Sequence, residues 1–411
     1  MRLFLFDGFF IGALETIVLH YLPLFALAYG ASNGEIGLLA AAGSLGAATA
    51  SLPGAWLSAK WRYRKPFVLL TRSGVSHVML LSLAVLPFVL GQPVIVGAII
   101  VAATMRSLVV YAGEGAWASL AADLVPERMR GQFFGSRNLL IGLGALGGVG
   151  AVALLLAGLG PGTEWTAVWG LALALGIGSS LLYSRIPERD LPGQGVVQQS
   201  ASSWRGVFSD ARFLRFGASV VIWNASLWMA APFFNVHLVK DLGASPLWVG
   251  GLLAVGAGFG LIGQTAIGRL VDSRGARWVI VPSGLGVAML PLMWYFVTAP
   301  WQVIAITAAG GILWAGYLLA TFSFLLSISP PGQQRYYAAA YTTLIFVATT
   351  IGPLVGGALA AAYGIKATFI ASGLGRLAAV GLFAALVQED KREEPGVPER
   401  REPVTAVAAG R

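Results

Sequence analysis

The chain has 411 residues, of which 57% are hydrophobic and only 11% charged, and its mean hydropathy is +0.76. A soluble domain carries about 25% charged residues, so a water-soluble fold is excluded and an all-α membrane protein is expected. Cysteine is absent and the three histidines, His20, His77 and His237, are scattered, which excludes disulfides, thiol chemistry and a histidine metal centre. The net charge of +9 sits in short segments between apolar runs, not on one basic face, which argues against a nucleic-acid partner.

Apolar runs of about 20 residues, the length that crosses roughly 30 Å of hydrocarbon as a helix, recur at 3–29, 34–58, 66–90, 93–118, 134–158, 164–186, 213–238, 247–270, 277–299, 301–328, 336–360 and 366–388. Twelve membrane helices are expected. The first, with "DGFFIGALETIVLH" (7–20), carries Asp7, Glu15 and His20; these polar residues and its length argue against a cleaved leader. Gly12 and Gly8 lie one and two turns before Glu15, a small-residue face that lets another helix approach. Asp7 is about 80° and His20 about 140° around the helix from Glu15. Solvation or pairing with nearby basic loops is expected for Asp7, and an interfacial hydrogen bond for His20. The fourth span places Arg106 near its midpoint, with Glu114 and Asp123 toward its inner end, facing "KWRYRK" (60–65). Arg72, Arg106 and Arg376 fall inside spans. Lys240 and Lys366 fall on the outer side and all other Lys and Arg on the inner, so the positive-inside bias puts both termini in the cytoplasm. Residues 187–212, polar and rich in Gly, Pro and Ser, read as a linker. Expected units are therefore 1–186, a cytoplasmic linker 187–212, 213–388, and a disordered cytoplasmic tail 389–411.

The two halves repeat. "LFALAYGASNGEIGLL" (24–39) and "VHLVKDLGASPLWVGGLL" (236–253) share Gly-Ala-Ser at 30–32 and 243–245, an offset of 213 that also places Gly37 on Gly250. "GAWLSAKWRYRK" (54–65) falls on "GRLVDSRGARW" (268–278), and Pro126 with Arg130 on Pro331 with Arg335. Two copies of a six-helix unit are the usual build of a transporter with a midplane site.

"GRLVDSRGAR" (268–277) resembles the signature loop Gly-x-Leu-x-Asp-x-x-Gly-x-Arg of the major facilitator superfamily, with Gly268, Asp272, Gly275 and Arg277 in register. The corresponding loop of the first half departs from it, with Ser58 in place of Asp and Trp61 in place of Gly. "GPLVGG" (352–357) resembles the Gly-Pro-x-x-Gly-Gly element that proton-coupled exporters carry in helix 5; here it is in helix 11, as Gly352, Pro353, Gly356 and Gly357. Helix 5 reads "GLGALGGVG" (142–150), glycine-rich without proline. The resemblance covers residues 1 to about 388 and implies two pseudo-symmetric six-helix bundles that rock about a central cavity lined by helices 1, 4, 7 and 10. It also implies a cytoplasmic gate in which Asp272 pairs with a basic residue at a neighbouring inner helix end, for which Arg335 is the candidate.

A carboxylate at the bilayer centre costs on the order of 2.5–3.5 kcal/mol and needs a partner, a cavity or a proton. Glu15 and Arg106 are therefore the candidate proton-coupling pair; a purely structural ion pair between helices 1 and 4 is the alternative. Trp223, Asn224 and Trp228 of helix 7 and Trp314, Tyr317 and Thr321 of helix 10 are candidate lining for a partly apolar solute, with ordinary packing as the alternative. Arg376 lies mid-helix with no acid in spans 7–11 to pair with. The short patterns "GASNG" (30–34), "GLGALG" (142–147) and "GFGLIG" (258–263) lack the strand that a nucleophile elbow or dinucleotide fold needs, so no enzyme and no cofactor is expected. The expected function is efflux of a small amphipathic or cationic molecule by proton antiport, by a monomer in the inner membrane. Proton symport of a sugar or organic anion, and a sensor or lipid scramblase without ion coupling, are the alternatives.

Overall fold

Twelve long helices carry nearly all of the described residues. The computed structural model describes residues 2–58, 60–61, 63–91, 94–125, 130–160, 162–186, 188, 206–245, 247–330 and 333–387, and no strand occurs among them. The linker segment 189–205 and the tail from 388 lie outside the described residues. The helices are α1 (Arg2–Ala28), α2 (Asn33–Ser58), α3 (Arg64–Val89), α4 (Val94–Leu124), α5 (Arg130–Gly158), α6 (Glu164–Ser184), α7 (Ala211–Asp241), α8 (Leu247–Arg274), α9 (Ala276–Tyr295), α10 (Gln302–Ile328), α11 (Gln334–Tyr363) and α12 (Ile365–Leu386). Among the described residues, eleven of these helices contain a stretch long and apolar enough to cross a membrane. α2 is rich in Gly, Ala, Ser and Thr, and its glycines let it approach its neighbours: Gly46 meets Ser107 and Gly54 meets Ala112 of α4, and Gly37 meets Gly357 of α11. Two helices include a π segment, Leu69–Val75 in α3 and His237–Asp241 in α7.

The helices form two bundles with the same internal packing. In the first, α1 packs on α5 and α6, α2 on α4, and α3 on α4 and α6; in the second, α7 packs on α11 and α12, α8 on α10, and α9 on α10 and α12. The repeat extends to single residues. Gly144 and Gly148 of α5 lie against Phe9 and Ala13 of α1, as Gly352 and Gly356 of α11 lie against Ala225 and Met229 of α7. Lys65, second residue of α3, donates to the Ile186 carbonyl at 2.8 Å, and Arg277, second residue of α9, donates to the Ala384 carbonyl at 2.7 Å. Each ties the start of the third helix of a bundle to the end of its sixth.

The bundles meet along α2–α11, α5–α8 and α1–α7. Gly37 packs on Gly357 and the Pro353 carbonyl, Gly250 packs on Val149, and Asn33 Nδ2 donates to the Ala360 carbonyl at 3.1 Å. His20 Nδ1 lies 3.1 Å from Asn235 Nδ2. All these contacts fall in the half of the helices that ends at the 29–32 and 242–245 turns. Ser32 and Glu35 close the first of those turns reciprocally: Ser32 N and Oγ donate to Glu35 Oε2 at 2.8 and 2.7 Å, and Glu35 N donates to Ser32 Oγ at 3.3 Å, a capping box.

Candidate functional site

The Gly8–Gly12 face of α1 seats against Arg137 and Ile141 of α5, and this close seam fixes how α1 is rotated. Glu15 is thereby directed at α4, where Arg106 Nη2 donates to its Oε1 at 2.6 Å. The two helices share no extended packing, so the pair bridges a gap between them. Arg106 retains 7% of its side-chain exposure while Glu15 retains 41%. The cation is embedded in the bundle and the carboxylate is the more exposed partner.

A second charged cluster, toward the N-terminal end of α1, differs from expectation. Asp7 is neither solvated nor paired with the basic loops; it is 4% exposed and accepts from Arg137 Nη2 of α5 at 3.2 Å and from Ser179 Oγ of α6 at 2.5 Å. Arg137, read from the sequence as an inner-side charge, is 6% exposed, with its guanidinium over the rings of Phe4 and Trp117 at 5.2 and 4.9 Å. Glu114 pairs with Arg72 of the α3 π segment at 2.8 Å, not with the 60–65 loop, and Arg72 also stands over Trp117 at 5.4 Å. A π segment re-aims side chains relative to an α-helix, which brings Arg72 to Glu114. Asp7, Arg72, His77, Trp117, Ser179 and Tyr183 line one narrow crevice. The sequence signal for this cluster was Arg137 itself, a cation four residues inside an apolar run. The Asp123 side chain lies outside the described residues.

In the second bundle the candidate lining residues divide. Trp223 and Tyr317 are buried and stacked at 4.1 Å, and Thr321 Oγ1 is spent on the Tyr317 carbonyl at 2.7 Å. These three belong to bundle packing. Trp314 meets Trp223 edge-on at 6.2 Å while staying half-buried, as do Asn224 and Trp228; Asn224 Nδ2 donates to the Val220 carbonyl of its own helix at 2.9 Å, leaving its Oδ1 for other partners.

At the candidate gate, Gly275 is the single residue between α8 and α9, with φ +85°, a conformation that a side chain disfavours; this explains glycine at that motif position. The side chains of Gly268, Asp272 and Arg335 lie outside the described residues, and with them the expected Asp272–Arg335 pair. The Gly-Pro element of α11 serves two interfaces: Gly352 and Gly356 face α7 within the bundle, while Pro353 and Gly357 face Gly37 across the bundle boundary.

The family model described as Major Facilitator Superfamily matches residues 4–263 and 219–410. The chain is 28% identical over 152 residues to a multidrug resistance protein MdtG of Dickeya zeae (strain Ech586), covering 36% of each chain. It is 27% identical over 164 residues to an uncharacterized MFS-type transporter, MJ1560, of Methanocaldococcus jannaschii, covering 40% of this chain and 41% of that one. These alignments span well under half the length of either relative. Among solved structures, the nucleoside transporter NupG superposes with a TM-score of 0.74 at 15% identity, covering 93% of this chain and 99% of that one. A bacterial homologue of the iron transporter ferroportin superposes with a TM-score of 0.74 at 16% identity, covering 93% and 97%. At these identities the likeness is one of fold.

Proposed function

The chain belongs to the Major Facilitator Superfamily of membrane transporters, and on that premise we propose that it exports small amphipathic or cationic solutes by proton antiport. The observation that carries this reading is the Arg106–Glu15 pair, a half-exposed carboxylate held by an embedded cation across a gap between two helices. With Glu15 ionised the pair is closed. A proton arriving from the more acidic side neutralises Glu15, releases Arg106 and changes which arrangement of the bundles is favoured; a solute that prefers the ionised carboxylate leaves as the proton binds. The partial match to multidrug resistance proteins supports efflux over uptake.

In this reading the termini and the Lys/Arg-rich loops face the cytoplasm of an inner membrane, and the bundle contacts at the 29–32 and 242–245 turns close the outer side. Trp228, Trp314 and Asn224 face the solute, the protein works as a monomer containing both halves, and Asp272 with Arg335 latches the cytoplasmic side when the cavity faces outward. Ring faces and one free amide oxygen suit a flat, partly apolar cation better than a polyhydroxylated one.

The test is reconstitution into vesicles with an internal pH-sensitive dye and a panel of cationic and sugar-like solutes. Antiport requires solute and proton to move in opposite directions. Glu15→Gln is expected to lower coupled flux by a factor in the roughly 5- to 150-fold range typical of coupling between two sites. An unchanged rate and pH profile in Glu15→Gln would reduce the pair to a structural fastening, and co-directional movement would make the protein a symporter.

A further inference from the structure

Arg376 stands apart from every role above. In α12, Gly373 sits against Leu292 of α9 and Gly375 against Ser226 of α7, so closely that a Cβ at either position would collide. That approach carries the neighbouring Arg376 into the interior of the second bundle, where it is 2% exposed. Its Nη1 donates to the Val287 carbonyl at 3.3 Å. Its Nε and Nη2, the two N–H groups that form the planar fork for an anion, have no acceptor among the described residues. One turn earlier, Ser372 is fully buried and its hydroxyl is also without a partner. A helical side chain leans over the residue four positions before it, which places the fork and the Ser372 hydroxyl on the same face of α12.

No carboxylate of this bundle reaches either group. Between residues 211 and 386 the chain has only Asp241 and Asp272. Asp241 is held by His237 at 2.6 Å at the end of α7, and Asp272 lies in the last turns of α8, which shares no extended packing with α12. Arg376 is about 15 Å from either end of its helix, at 1.5 Å per residue. Burial leaves no opening for an organic acid.

We propose that Arg376 and Ser372 hold a small inorganic anion of halide size inside the C-terminal bundle, neutralising the guanidinium and joining α12 to α9. The proposal is independent of proton coupling. Thermal unfolding of the purified full-length protein, followed by the fluorescence of its 13 tryptophans, tests it with chloride or bromide replacing gluconate at constant ionic strength. The midpoint is expected to rise with halide and saturate, since a ligand of the folded state stabilises it by mass action. Arg376→Met, which keeps bulk and removes charge, is expected to abolish the response, and Ser372→Ala to raise the half-saturating halide concentration several-fold. A wild-type midpoint equal in chloride and gluconate overturns the proposal, as does a full halide response in Arg376→Met. Should that variant not fold, an unchanged half-saturation in Ser372→Ala overturns it. Stabilisation by acetate and not by chloride would replace the halide with an organic carboxylate.

Discussion

Asp7 and Glu15 lie two turns apart on one helix, each beside an arginine, and burial makes them different devices. Asp7 is enclosed, with Arg137 and Ser179 filling its coordination. Removing one partner of such a pair strands a buried charge at a cost of about 3–5 kcal/mol, whereas removing both charges together is far milder. Arg137→Met is therefore expected to destabilise the protein strongly in thermal unfolding, and the double variant Asp7→Asn with Arg137→Gln to recover much of that loss. Glu15 keeps two-fifths of its surface open, and in Glu15→Gln the amide oxygen can still accept from the embedded Arg106. Glu15→Gln should leave the unfolding midpoint nearly unchanged while altering flux. The same pair of measurements thus separates a structural carboxylate from a working one. The sequence points to Asp7 as the solvated acid, because which one is enclosed depends on α5 and α6, more than a hundred residues away.

Close helix seams are legible in the sequence as glycine patterns, without their partners. Gly8 and Gly12 announce a face for close packing, and α5 occupies it; the glycine-rich run of α5 supplies the complementary surface through Gly144 and Gly148. Gly12 would drive a Cβ into the backbone at Ile141, whereas at Gly142 a Cβ meets nothing within 4 Å. Gly12→Ala should therefore destabilise by about 1–3 kcal/mol through overpacking. Gly142→Ala should be neutral or stabilising by up to about 1 kcal/mol, because alanine is the better helix former. Unfolding midpoints of the two single variants check the contrast. Glycine spacing alone does not tell them apart, since both sit in apolar helices and only the neighbour decides.

Across the whole molecule, the six-helix repeat sets two equivalent seams between the bundles, Gly37 against Gly357 and Gly250 against Val149. Rocking requires these seams to part. Val149 Cγ1, which stands where a cysteine Sγ would, lies 3.1 Å from the position of a Cβ on Gly250, close to the roughly 3 Å between one Sγ and the partner's Cβ that an S–S bond of about 2.05 Å implies. In this cysteine-free chain, Val149→Cys with Gly250→Cys should cross-link under mild oxidant and arrest transport, with flux restored by reductant. Full flux in the cross-linked protein would mean that this seam does not open during the cycle.

Hydropathy and the 213-residue offset determine the twelve crossings and the two-bundle plan from the sequence alone, because a helix in lipid must satisfy its own backbone and each crossing is encoded locally. The motif glycine at 275 is likewise local, fixed by a one-residue turn. What only the tertiary structure decides is the pairing of the polar side chains inside the membrane: that Arg137 and not a loop neutralises Asp7, that Arg72 takes Glu114, that Trp223 and Tyr317 face each other, and that Arg376 enters the bundle with no protein acceptor for its fork among the described residues. These depend on helix rotation and on contacts between residues far apart in the chain. A lone charge in an apolar run states that a partner is needed; only the packed bundles say which group, if any, supplies it.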